Sequence, residues 1–174
     1  MPEYKILTFA AILSIMWSLF VVWPTFGFPP YSRAAFGNGW IDADGDCQDT
    51  RQEVLIDESL VPVVLSDDGC RVITGLWFCA YTGEYYSNPS DLDIDHMVPL
   101  KAAWESGAWQ WDKDQRIWYA NDLSNPNHLV AVQARANRQK GAKSPRQWLP
   151  KVLINGYRTN WNEICEQWQL TCKE

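Results

Sequence analysis

Leu92 and Ile94 alternate with Asp93 and Asp95 in a run that ends at His96. A period of two is the mark of a half-buried strand, here with an apolar face and a face that carries carboxylates. Some thirty residues on, a short apolar stretch, Leu129-Val130-Ala131-Val132, leads into a helical pattern from Gln133 to Lys140, stopped by Gly141. Residues 91–141 therefore read as strand, long insertion, strand, helix. A chain that must bury Leu92 and Ile94 while keeping two aspartates and a histidine together has few ways to fold.

The remaining elements follow from local signals. Thr50 to Ser59 reads as a helix with Asp49 or Thr50 as its N-cap. Val61–Leu65 and Cys70–Cys79 read as two strands joined by the turn Ser66-Asp67-Asp68-Gly69, and Tyr81-Thr82-Gly83 as a further turn. Helices are expected at Leu100–Ser106, Lys113–Ala120 and Trp161–Trp168, with a short one starting at Pro145. Residues 24–38, rich in Pro, Gly and aromatics, read as a linker into a single domain over 39–174.

Residues 1–23 stand apart. Lys5 precedes an 18-residue apolar run, Ile6 to Trp23, broken only by Thr8, Ser14 and Ser18. This is the pattern of a signal peptide or an uncleaved signal anchor, and it implies export. A membrane enters only through residues 6–23, if they stay attached. Export makes the five cysteines disulfide candidates. Five is odd, so one thiol is left over; we pair Cys47 with Cys70 and Cys165 with Cys172, leaving Cys79 free. No C-x-x-C pair and only two histidines, His96 and His128, argue against a structural zinc.

The net charge of −6 argues against a polyanionic partner, but the charges are segregated. Asp42 to Asp68 holds nine acidic residues and one basic, Arg51, whereas His128 to Lys151 holds six basic residues and no acidic ones. Binding depends on the local field, so a basic stripe on an acidic protein can hold phosphates. Within the acidic segment, Asp42, Asp44 and Asp46 with Glu53 follow half of a calcium-loop pattern, yet Cys47 stands where the sharp turn needs Gly. Ca²⁺ at 42–53 is not expected on that ground.

A carboxylate beside a histidine, followed by an amide on a basic helix, supplies what a metal-dependent phosphodiesterase needs: ligands for a cation, a base, and cations for phosphate. An imidazole titrating near ~6.5 is about half-deprotonated at neutral pH, which suits a base.

With Asp93-Ile94-Asp95-His96-Met97-Val98-Pro99-Leu100 and Asn137-Arg138-Gln139-Lys140, the region resembles the ββα-metal finger of the HNH endonucleases, and within them the secreted bacterial branch with the DIDHxVPL signature. Further landmarks in order are Asp44 to Cys47, Thr50 to Leu55, Tyr81-Thr82-Gly83, Ala103-Trp104, Ala120 to Leu123 and Trp148-Leu149-Pro150, so the resemblance spans most of 39–151. It implies an α+β domain in which the finger is embedded between an N-terminal β-hairpin and flanking helices. It implies His96 as the general base, and Asp95 and Asn137 as holders of one divalent cation, Mg²⁺ first and Mn²⁺ next. The family's usual third position, an Asn before the second strand, is taken here by His128 with Asn127 beside it; of two roles, orienting His96 or adding an imidazole to the metal, which would move the preference from Mg²⁺ towards Mn²⁺, Zn²⁺ or Ni²⁺, we favour the first. Asp93 and Glu53 are expected in support. Arg51, Arg135, Arg138 and Lys140 are the candidates to grip phosphate. The expected activity is sequence-tolerant hydrolysis of DNA, with RNA as a further substrate, leaving 5′-phosphates, by a monomer. The competing reading is a calcium-stabilised, Trp-rich exported binding module without catalysis.

Overall fold

The computed structural model describes residues 27–172, so the apolar segment 6–23 lies outside the described residues. Among the described residues no helix is long and apolar enough to cross a membrane. The architecture is α+β. In chain order the elements are α1 (Thr50–Asp57), β1 (Val64–Leu65), β2 (Val72–Thr74), β3 (Trp77–Cys79), β4 (Glu84–Tyr86), β5 (Leu92–His96), α2 (Leu100–Glu105), α3 (Lys113–Ala120), β6 (Leu129–Gln133), α4 (Ala134–Lys140) and α5 (Ile154–Gln167). The strands pair as three antiparallel two-stranded units: β1 with β2, β3 with β4, β5 with β6.

The β5–β6 pair is central. Leu92 faces Gln133, Asp95 faces Val130 and His96 faces Leu129, and α4 follows β6 without a break. Gln133 caps α4 through its own side chain, accepting from Ala136 N–H at 2.8 Å, and Gly141 ends the helix with a φ of 54°. The expected strand–insertion–strand–helix order is thus present, with β6 one residue longer than read.

Two hydrophobic clusters flank this unit. Leu92, Ile94, Leu129 and Ala131 pack with Val54, Leu55, Val72 and Trp77 on the α1 side. Val98, Trp104, Tyr119, Tyr157, Trp161 and Ile164 form the other cluster. Phe36 belongs to it as well. From Pro29 to Phe36 the segment read as a linker is therefore part of the domain: Trp104 Nε1–H donates to Pro29 O at 2.7 Å and Arg116 Nε–H to Ala35 O at 3.0 Å. Its Pro and Gly content suits a winding path, and its aromatics hold that path to the core.

Other local readings need correction. The single strand expected over Cys70–Cys79 is two, broken at Gly75. A Cβ there would come within 2.6 Å of the Trp77 ring, which is buried and donates its indole N–H to Leu55 O. The second half pairs with β4, whose side chains are mostly exposed and gave no alternating signal. Pro145 opens only a turn. Helix α5 starts seven residues earlier than expected, because Tyr157, Trp161 and Ile164 bury one stripe and carry Asn155 and Gly156 along. The disulfides Cys47–Cys70 and Cys165–Cys172 are formed, and Cys79 is a free, buried thiol, as paired from the sequence.

Candidate active site

The alternation in β5 sends Leu92 and Ile94 into the core and Asp93 and Asp95 towards α4. There they meet Asn137 and Arg138, and the four side chains form one wall of a cleft of about 550 Å³. His96 closes its end. The opposite side comes from Tyr31, Arg33 and Trp40, ahead of α1, and from Pro99 to Lys101 at the start of α2.

His96 is held on every side. Its Nε2–H donates to Ala120 O at 3.0 Å, so the basic lone pair is on Nδ1. Its ring stacks between Trp40, with centroids 5.5 Å apart, and Tyr119, at 6.2 Å. Burial pushes its pKa well below the usual 6.5, and His128, Arg33 and Lys140 lower it further, so the ring is neutral at pH 7. His128 stands behind it, fully buried, with its ring edge-on to His96 at 6.0 Å and its Nε2–H donating to Tyr119 O at 2.6 Å. It does not line the cleft.

Asp95 is 5% exposed and Lys140 is fully enclosed. The ammonium donates to both oxygens of Asp95, at 3.0 and 2.7 Å, and to His96 O at 2.7 Å. Tyr81 O–H donates to the same carboxylate at 2.6 Å. Burial raises the Asp95 pKa and lowers that of Lys140, and each charge restrains the shift of the other. Burial and the neighbouring Asp95 hold the Tyr81 hydroxyl well above its usual range, so it remains a donor. Lys140, expected to reach for phosphate, has all three protons committed inside the protein; this expectation is corrected. Asp93 is more open. It accepts from Asn137 Nδ2–H at 3.2 Å, and Arg138 Nε lies 3.7 Å away on a side chain that is 77% exposed.

The other expected residues are dispersed. Arg51 lines the cleft, but its guanidinium is spent on Pro89 O and Leu92 O, at 2.9 and 3.0 Å, tying α1 to the start of β5. Arg135 is exposed on a different face of α4, beside Gln139 and Lys151. Glu53 is remote from the cleft: it lines a second cavity, and burial together with Asp44, Asp46, Asp42 and Asp49 pushes its pKa up. Neither Arg135 nor Glu53 belongs to the site. Sequence reasoning missed Tyr31, Arg33 and Trp40, which fell in or beside the supposed linker, and gave no site role to Tyr81, noted as a turn and a landmark of the resemblance.

Residues 49–168 match the family model for the C-terminal domain of GmrSD restriction endonucleases. The chain belongs to this family. It is also 44% identical over 122 residues to an uncharacterized secreted protein of Arthroderma benhamiae, a match that covers 70% of this chain and 57% of that protein. No solved structure matches. Family membership carries a nuclease-type function at the level of the family, and the α+β fold with its β5–β6–α4 unit agrees with it.

Proposed function

We propose that the protein is an exported, metal-dependent endonuclease of the DIDHxVPL type that hydrolyses DNA, and RNA where it enters the cleft, to give 5′-phosphate ends. The observation that carries this reading is the convergence of a neutral, clamped imidazole with two carboxylates and an amide on one cleft. Export rests on the apolar run at 6–23, on two disulfides, and on the word "secreted" in the name of the Arthroderma protein.

The donor set suits a hard cation, Mg²⁺ or Mn²⁺, because it offers carboxylate and amide oxygens. Asn137 would hold it with the aspartate wall. Asp93 already lies against Asn137, whereas Asp95 joins only by sharing its oxygens with Lys140. When bound, the cation supplies charge stabilisation to a phosphate under attack. The protein's own part is clear. His96 Nδ1 takes a proton from water, Nε2–H on Ala120 O fixes the tautomer, and Trp40 and Tyr119 hold the ring plane.

The test is nicking of supercoiled plasmid, and of a single-stranded RNA, by the full chain with Mg²⁺ or Mn²⁺, with and without EDTA. Metal-dependent cleavage supports the reading. A second reading keeps one observation of its own: Asp42, Asp44 and Asp46 bring carboxylate oxygens within 4.8 Å of one another. Absence of cleavage with either metal, together with a melting temperature raised by Ca²⁺, favours that binding module instead.

A further inference from the structure

Among the described residues the cleft has four cationic side chains, and three of them already face a backbone carbonyl or a carboxylate. Arg51 is bonded to two backbone carbonyls. Arg138 lies 3.7 Å from Asp93, and Lys101 lies 3.8 Å from Glu105 one helical turn on. Arg33 is different. It is exposed, among the described residues no carboxylate lies within 4.0 Å of it, and the side chain it meets is the neutral Tyr31 hydroxyl on the same cleft. With Trp40 and Leu100 it lines both the main cleft and a smaller cavity of about 40 Å³ against His96.

The backbone that carries Arg33 is anchored on both sides of it. Phe36, three residues on, is buried in the core, Pro29 O accepts from Trp104, and Ala35 O accepts from Arg116. A side chain with several rotatable bonds thus starts from a fixed point beside the base. Arg33 precedes the stretch 49–168 that matches the family.

We infer that Arg33 is a substrate ligand: its guanidinium grips the phosphate brought to His96, so that a segment ahead of the family domain completes the active site. Guanidinium presents two parallel N–H donors to two phosphate oxygens and stays charged at any working pH. A cation that no carboxylate neutralises, in a cleft walled by two carboxylates, also offsets their repulsion of an incoming polyanion. The inference rests on the nuclease reading only for the word "substrate"; phosphate binding itself does not require cleavage.

The experiment uses the full chain with Arg33→Ala, Arg33→Gln and Arg33→Lys. Arg71→Ala, an exposed residue of the β1–β2 hairpin that does not line the cleft, serves as the control. Binding of a fluorescein-labelled twelve-nucleotide single strand is measured by anisotropy in EDTA, and plasmid cleavage is measured in Mg²⁺. We expect Arg33→Ala and Arg33→Gln to weaken binding about 5- to 20-fold and to slow cleavage about 10- to 100-fold, from loss of a charge-assisted bidentate contact. Arg33→Lys should recover part of the binding and less of the rate, since it keeps the charge and loses the fork. Arg71→Ala should match the parent. Parent-like binding and cleavage by both Arg33→Ala and Arg33→Gln overturns the inference. If the parent cleaves nothing but binding still depends on Arg33, the nuclease reading falls and the phosphate ligand stands. If neither cleavage nor an Arg33-dependent affinity is found, both fall.

Discussion

Two groups of aspartates, fifty residues apart, are built in opposite ways. Asp42, Asp44 and Asp46 sit on an exposed loop, where their carboxylates accept from the loop's own N–H groups: Gly45 and Cys47 on Asp42, Asp46 on Asp44, Gln48 on Asp46. Asp93 and Asp95 sit on a central strand, where the partners come from far along the chain: Asn137, Lys140 and Tyr81. In sequence the first group is the denser. Local turns saturate it and water solvates it, so its charges cost little and organise little. Burial makes Asp95 consequential, because its low-dielectric charge has to be matched by specific distant side chains, and the half-buried Asp93 is held beside Asn137. The same residue type is a turn former in one place and the frame of a site in the other.

The largest effect that bears on this contrast is catalytic. His96→Ala should lower cleavage by about 10² to 10⁴ while leaving oligonucleotide binding within a few-fold, since it removes the base and spares the carboxylate wall. Plasmid cleavage at matched folding checks it, and a variant within a factor of a few of the parent removes His96 from that role.

The next effect is on stability. Lys140→Met strands Asp95 without its counter-ion in the interior and should cost about 3–5 kcal/mol in urea unfolding. A cost under ~1 kcal/mol would show that the network holds water or is not closed as described. The double change Lys140→Met/Asp95→Leu should recover much of the loss.

A half-buried carboxyl outside the site gives a pH signature. Glu58 accepts from Ala131 N–H on the outer edge of β6, and burial pushes its pKa up from 4.5 to about 8. Because the folded pKa lies above the unfolded one, its contribution is complete below pH 4.5 and is lost as pH rises through about 8. Glu58→Gln mimics the protonated form. It should raise stability at pH 8.5 by ~1–2 kcal/mol relative to the parent and change little at pH 4.5. An equal effect at both pH values would contradict the shift.

The smallest effect completes the comparison. Asp44→Asn, in the exposed group, should leave cleavage within twofold and stability within about 0.5 kcal/mol in the absence of Ca²⁺. A large loss of cleavage would mean that the two aspartate groups are coupled and that the contrast drawn between them is too sharp.

Much was legible from the sequence where the signal was local or periodic. The alternation at 92–96 marked β5 and its carboxylate face, Lys113–Ala120 was read to the residue, and the cysteine pairing was anticipated. The co-location of His96, Asp93, Asp95 and Asn137 followed from the strand–strand–helix order. Other features were not legible because their cause is not local. Lys140 looks like any basic residue at a helix end, and only the packing of Tyr81 and β5 around it turns it into a buried counter-ion. Arg33 and Trp40 sit in a stretch whose Pro and Gly content signals irregular backbone, and irregular backbone reveals nothing of where its side chains land.

The sequence by itself determined the strand, insertion, strand and helix order of the central unit and which residue types could do chemistry. It could do so because helix and strand periods and turn residues are properties of neighbouring residues. The tertiary structure decided which of two aspartates is sealed against a lysine and which is open beside Asn137, that His128 packs behind His96 and outside the cleft, and that Tyr31, Arg33 and Trp40 line the cleft. Those outcomes depend on desolvation and on contacts between residues up to 81 positions apart, as in the bond from Arg116 Nε–H to Ala35 O, and no local pattern encodes them.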